Sequence, residues 1–171
     1  MNLAFKLLIT LALSSMVTGC SFSLRPVLDD YTGTDAAHLR IEDLGHTVIR
    51  VYKKEGDCYV KDYERRLTSP VSVMGVPTTG DKKVSGMRSS SDVRGLIVKE
   101  YSIKPDQKLT VTHYASLGTY QREFSKKLAP QANHDYDLII GDYSITIKDL
   151  TATNGQADTW TDNICPLGFW G

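Results

Sequence analysis

Histidines, carboxylates and a run of serines are the residues of this chain whose types could carry chemistry. The histidines are His38, His46, His113 and His134. A zinc site needs three or four ligands, and a close pair such as His-x-x-x-His is its common signature; no such pair exists here. His113 falls on the strand face of Leu109 and Val111, the place of a hydrogen-bonded core or rim histidine. Asp135, Asp137 and Asp142 flank the alternating apolar run Tyr136, Leu138 and Ile140. Paired carboxylates suit acid–base chemistry or calcium. Alternation with an apolar face, however, points Asp135 and Asp137 toward solvent. Ser89-Ser90-Ser91-Asp92 lacks both the Gly-x-Ser-x-Gly elbow and the Ser-x-x-Lys pairing of an activated nucleophile, so it reads as loop. There is no phosphate-binding glycine loop and no dinucleotide fingerprint. These residues call for no catalytic site, no metal site and no cofactor.

The N-terminus is more specific. One positive charge, Lys6, precedes the apolar run Leu7-Leu8-Ile9-Thr10-Leu11-Ala12-Leu13; small and weakly polar residues then lead through Gly19 to Cys20. That order is the order of a secretory signal over residues 1–19, and the apolar run is too short for a membrane-spanning helix, which needs roughly 20 such residues. Val17-Thr18-Gly19-Cys20 resembles the lipobox of bacterial lipoproteins: an aliphatic residue, a small or hydroxyl residue, Gly or Ala, then Cys. The resemblance covers this N-terminal segment alone. It implies a lipoprotein precursor, cleaved before Cys20, with diacylglycerol on the Cys20 sulfur and palmitate-type acylation of the new amino group. Two or more chains give stable anchoring where one is marginal, at about 0.8 kcal/mol per buried methylene. Ser21, rather than Asp, follows the cysteine. For a Gram-negative source this resembles the sorting state of lipoproteins that reach the outer membrane, facing the periplasm.

With Cys20 given to lipid by that resemblance, Cys58 and Cys165 remain as a pair. An oxidising periplasm favours a disulfide between them. It would close a loop of about a hundred residues, worth roughly 4 to 5 kcal/mol in the chain-entropy model. A metal or redox pair is the alternative, against which stands the absence of any Cys-x-x-Cys.

Removal of the signal leaves roughly 150 residues, the size of one domain with a real core. Lys+Arg 20 balance Asp+Glu 20, with no basic patch to favour nucleic acid. Residues 20–35 read as a lipidated tether reaching roughly 50 Å at about 3.3 Å per residue. Strand signals dominate residues 36–171. His38–Glu42 and Thr47–Tyr52 suggest a hairpin, and Cys58–Val60 a third strand. Residues 75–94, rich in Gly, Ser and Pro, form a long mobile loop. Leu96–Ile103 is followed across Lys104-Pro105-Asp106-Gln107 by the return strand Lys108–Tyr114. Tyr120–Leu128 fits a helical face or a strand face equally. Tyr136–Ile140 and Tyr143–Ile147 form a pair across Gly141-Asp142. The aromatic tail, Phe169 and Trp170, either packs on the sheet or forms an exposed patch. The expected fold is all-β, an antiparallel β-sandwich or barrel-like domain of seven to nine short strands.

The combined expectation is an outer-membrane-anchored periplasmic lipoprotein, held to the membrane by lipid at Cys20. Its domain would be a non-catalytic interaction module with an envelope protein or polymer as partner. An envelope hydrolase, or a small-ligand or metal carrier, is the alternative. In outline the chain is also similar to the lipoprotein component of type VI secretion systems, a tethered β-sandwich, through the lipobox and strand pattern alone.

Overall fold

Alternation of apolar residues gives each of several strands one apolar face: Leu39 with Ile41, Ile49 with Val51, Leu109 with Val111, Ile145 with Ile147. These faces meet in one core, which also takes in Tyr101, Ile103, Leu128, Tyr136 and Leu138. The structure, a computed structural model, describes residues 25–68, 72–73, 76–77, 80–117, 120–142 and 144–166. It contains β1 (Ala37–Glu42), β2 (His46–Glu55), β3 (Cys58–Arg66), β4 (Ser72–Val73), β5 (Val76–Pro77), β6 (Val98–Ile103), β7 (Lys108–Leu117), β8 (Tyr120–Leu128), β9 (Asp135–Gly141) and β10 (Ser144–Asp149). Among the described residues there is no helix. One four-stranded sheet has the order β10-β9-β1-β6 and the other β3-β2-β7-β8, while among the described residues β4 and β5 pair with each other. The fold is an all-β sandwich. The segment 120–128, which fits either period, is a strand, and β9 and β10 pair antiparallel as their alternation suggests.

Two expected hairpins are absent. β1 and β2 follow one another in sequence but belong to opposite sheets, as do β6 and β7. The reason lies in the edges of β1. One edge is taken by β6 in antiparallel register and the other by β9 in parallel register. Asp43 extends the first ladder by donating its N–H to Ile97 O (2.8 Å), so no edge is left for β2. The chain turns the corner at Gly45, whose φ of +62° suits glycine; a Cβ there would lie 2.8 Å from His113 Cε1.

The open side of the sandwich, between the edges of β3 and β6, is closed by the segment expected to be a tether. Leu28 N–H donates to Arg66 O (3.0 Å), Arg66 N–H to Pro26 O (2.9 Å) and Tyr31 N–H to Ser102 O (2.9 Å). Leu28 packs against the core. From Pro26 onward this segment is therefore laid along the domain, because unpaired strand edges and an uncovered seam favour a third chain segment to cover them. The edge of β3 is further met by Ile164 and that of β10 by Gln156.

Candidate functional site

The outward face of the β10-β9-β1-β6 sheet carries an unusual set of charges. Leu39 and Ile41 point into the core, so His38 and Arg40 point out. Register sets Arg40 beside Asp137 of β9 on one side and Glu100 of β6 on the other. Arg40 Nε donates to Asp137 Oδ1 at 2.8 Å, and Nη1 to Glu100 Oε1 at 3.3 Å. Arg40 is 4% exposed, Glu100 3% and Asp137 0%. Nη2 also lies 2.7 Å from Asp137 Oδ1. Both nitrogens thus converge on one oxygen, and buried Asp137 Oδ2 has no hydrogen-bond partner. One row along, His38 Nδ1 sits 2.8 Å from Asp135 Oδ1. Just before β9, on the Tyr136 side of the sheet and not on this face, His134 Nδ1 sits 2.7 Å from Asp149 Oδ2.

Asp135 and Asp137, expected to face solvent, are buried. Alternation does turn both side chains outward, but outward is not solvent here. Residues 80–97, much of the long loop foreseen at 75–94, lie over this face and hydrogen-bond to its carboxylates. Glu100 Oε2 accepts from Val84 N–H (2.8 Å) and Asp135 Oδ2 from Arg88 N–H (2.9 Å), while Arg88 O accepts from Arg40 Nη1 (2.9 Å). Lys82 pairs with the β6 strand at Lys99. At Lys82 the loop uses backbone partners, donating to Val98 O (3.0 Å) and accepting from Glu100 N–H (2.8 Å); at Val84 and Arg88 buried carboxylates take that place. Asp142 remains exposed at the β9–β10 turn.

Between the loop and the sheet is a cleft of about 570 Å³ lined by Arg40, Lys83, Arg94 and the serines Ser89, Ser90 and Ser91, among others. Its cations and hydroxyls can hydrogen-bond a polar or anionic group. Its buried cation is already matched, since Arg40 faces two carboxylates. Ser90 Oγ accepts the Asp92 N–H at 3.2 Å, a local loop contact. Among the described residues no hydrogen bond links these serines to a histidine or lysine that could serve as base. Nor does any group of three or more His, Cys, Asp or Glu side chains stand ready for a metal ion among the described residues. The arrangement holds a loop and leaves an open cleft; it contains no assembled acid–base–nucleophile set among those residues.

His113 lies where its strand face predicted. It is 6% exposed, with Nδ1 2.9 Å from Thr47 Oγ1. Burial, and secondarily neighbouring His46, lower its pKa below the usual 6.5. His46 is lowered as well, by burial first and then by Arg25 and Arg66. Both rings are thus held neutral in the fold and take up protons more readily when unfolded. Their contribution to stability is complete above about pH 6.5 and is lost as pH falls through their depressed folded values. The urea midpoint should therefore fall between pH 7.5 and pH 5, and His113→Gln should make that fall smaller. An equal fall in the variant and the parent would remove His113 from the account.

Cys58 and Cys165 form a disulfide, with Cα atoms 5.1 Å apart. Cys20, Phe169 and Trp170 lie outside the described residues. Trp160, which no sequence pattern marked, is the aromatic anchor of the C-terminal segment: it is 3% exposed and its Nε1 donates to Leu109 O at 2.7 Å. Among the described residues no helix is long and apolar enough to cross a membrane. Comparisons with known protein families, curated proteins and solved structures found no match to this chain.

Proposed function

We propose that this protein is a lipid-anchored lipoprotein of the bacterial envelope, attached through Cys20 to the periplasmic face of the outer membrane, and that its β-sandwich is a non-catalytic interaction module. The observation that carries the reading is the distribution of cysteines. Two of the three are joined to each other, Cys58 to Cys165, as suits an oxidising compartment. The remaining one stands at the last position of Val17-Thr18-Gly19-Cys20, where the lipobox pattern places the acylated residue. Support for a module rather than an enzyme comes from the outward charges, which are spent on holding the loop 80–97. An envelope protein or polymer is the class of partner such a tethered domain would meet.

The test is Cys20→Ala in cells fed a labelled fatty acid. The variant should lose the label and leave the membrane fraction. A variant that keeps both would end the lipoprotein reading. Crosslinking in intact cells followed by pull-down then addresses the module: a reproducible stoichiometric partner supports it, and recovery of the lipoprotein alone counts against it.

A further inference from the structure

The two ends of the sandwich differ in what they expose. One end carries the β1–β2 corner, the residues entering β6, and the tips of the β7–β8 and β9–β10 pairs. This grouping follows from the registers: β1 and β9 run parallel, Ile97 O accepts from Asp43 N–H, and β7 runs on past the pairing of His46 with Tyr114 toward its turn. Leu44 (52% exposed), Leu96 (40%), Ile97 (39%) and Tyr120 (76%) all lie there. Val27, 44% exposed, is close by, bridged to Arg66 at the end of β3. Ile164 is the exception among the exposed large apolar side chains of the described residues; it pairs with Tyr59 near the other end, beside the β2–β3 turn. Such clustering marks a contact surface more than scattered single residues do.

The chain enters the domain at the same end. Arg25 stands beside His46, with its Nη1 3.2 Å from His46 Nε2, and its guanidinium lies over the Tyr114 ring. Cys20 precedes Arg25 by five residues, which span at most about 17 Å however they are arranged. The ten residues of β2 alone extend about 30 Å. An anchor at Cys20 therefore keeps this end near its lipid, and leaves the opposite end, with Gly56 and Asp57, a strand length farther away.

We infer that this apolar end of the sandwich rests on the phospholipid surface that holds the Cys20 acyl chains, with Leu44, Leu96, Ile97 and Tyr120 at the lipid interface. The inference rests on the lipid-anchor reading above and adds an orientation to it. Leucine, isoleucine and tyrosine at loop tips, next to Arg25 and Arg94, are side chains that settle at the headgroup boundary. The opposite end, and the disulfide with it, then faces away from the membrane and is the surface presented to a partner.

The experiment uses the full acylated protein, extracted from membranes and reconstituted in phosphatidylethanolamine–phosphatidylglycerol vesicles. An environment-sensitive fluorophore is placed by Leu44→Cys or, at the far end, by Asp57→Cys, both exposed positions; intact mass reports the acyl chains and far-UV circular dichroism the fold. The label at position 44 should shift to shorter wavelength on reconstitution and be quenched several-fold more by headgroup nitroxide lipids than the label at 57. Equal weak quenching at both positions, with the acyl mass present, overturns the orientation and leaves the anchor standing. A protein without acyl mass at Cys20 overturns both.

Discussion

Replacement of Arg40 by methionine should destabilise the domain by about 3 to 5 kcal/mol, the range for removing one partner of a buried ion pair. In a domain of this size that corresponds to a fall in melting temperature of roughly 10 °C. The loss is large because of what stays behind. Asp137 (0% exposed) and Glu100 (3%) would keep their positions on β9 and β6 without the guanidinium between them. Glu100 still has the Val84 N–H and the Lys83 ammonium, at 2.8 and 3.6 Å. Asp137 has no such reserve, for its Oδ2 lacks a partner even in the native arrangement. The double variant Arg40→Met, Asp137→Leu should therefore recover more than half of the lost stability, since it removes the stranded charge. Urea unfolding measures both. A single variant that loses less than about 1 kcal/mol would mean that water from the cleft solvates the carboxylates and that the pair is of the surface kind.

The same substitution tests what the charges are for. Arg40 Nη1 holds Arg88 O, flanking Glu100 accepts the Val84 N–H, and Asp135, one row along, accepts the Arg88 N–H. Hydrogen exchange at Val84 and Arg88 should quicken in Arg40→Met well beyond the change at Val111, a core amide of the other sheet. Uniform acceleration across both sheets would show that the triad supports the whole fold and not the loop in particular.

The legible and illegible parts of the fold divide along a physical line. Strands announce themselves locally, through β-branched residues and alternation, and Tyr136–Ile140 and Ser144–Asp149 even announce their pairing because a short turn joins them. The parallel partnership of β1 with β9 joins residues about a hundred positions apart and leaves no local trace. With β6 on the other edge, it leaves the expected hairpin of β1 and β2 no edge to form on. The buried charges failed for a related reason. Alternation tells which way Asp137 points, but not that residues 80–97 will cover that direction, since these residues carry no period of their own. Glu100, the third member of the set, had no signal beyond its place in an apolar strand. Cys58 and Cys165 were legible because a disulfide needs only an oxidising address and an even count, both of which came through the resemblance at Cys20.

That disulfide carries the second large expectation. The double variant Cys58→Ser, Cys165→Ser should lose about 4 to 5 kcal/mol at a sequence separation of 107 residues, mostly through the greater freedom of the unfolded chain. Local contacts decide where the loosening shows first. The segment after β10 crosses to the other sheet through single bonds: Ala129 N–H to Asp158 O (2.9 Å), Trp160 Nε1 to Leu109 O (2.7 Å), and Lys127 Nζ to Asp162 O (3.3 Å). Trp160 tilts against Tyr52 and Tyr59, with the Lys127 ammonium 4.0 Å from its ring. The hydrogen bonds fasten the segment to β7 and the end of β8, and the rings seat Trp160 on β2 and β3. The segment's far end is held to β3 by the disulfide and by two backbone bonds, Tyr59 N–H to Asn163 O and Cys165 N–H to Tyr59 O (both 2.9 Å). Without the disulfide only those two bonds hold that end, so fraying starts at Ile164 and runs back toward Trp160. In a Trp170→Phe background, which leaves Trp160 as the sole tryptophan, the variant should show red-shifted emission before the main unfolding transition. It should also show a steeper dependence on urea, because an uncrosslinked unfolded chain exposes more surface. A stability loss with an unchanged urea slope would instead assign the effect to the native segment around Trp160. Reduction of the parent protein should reproduce whichever pattern the variant shows.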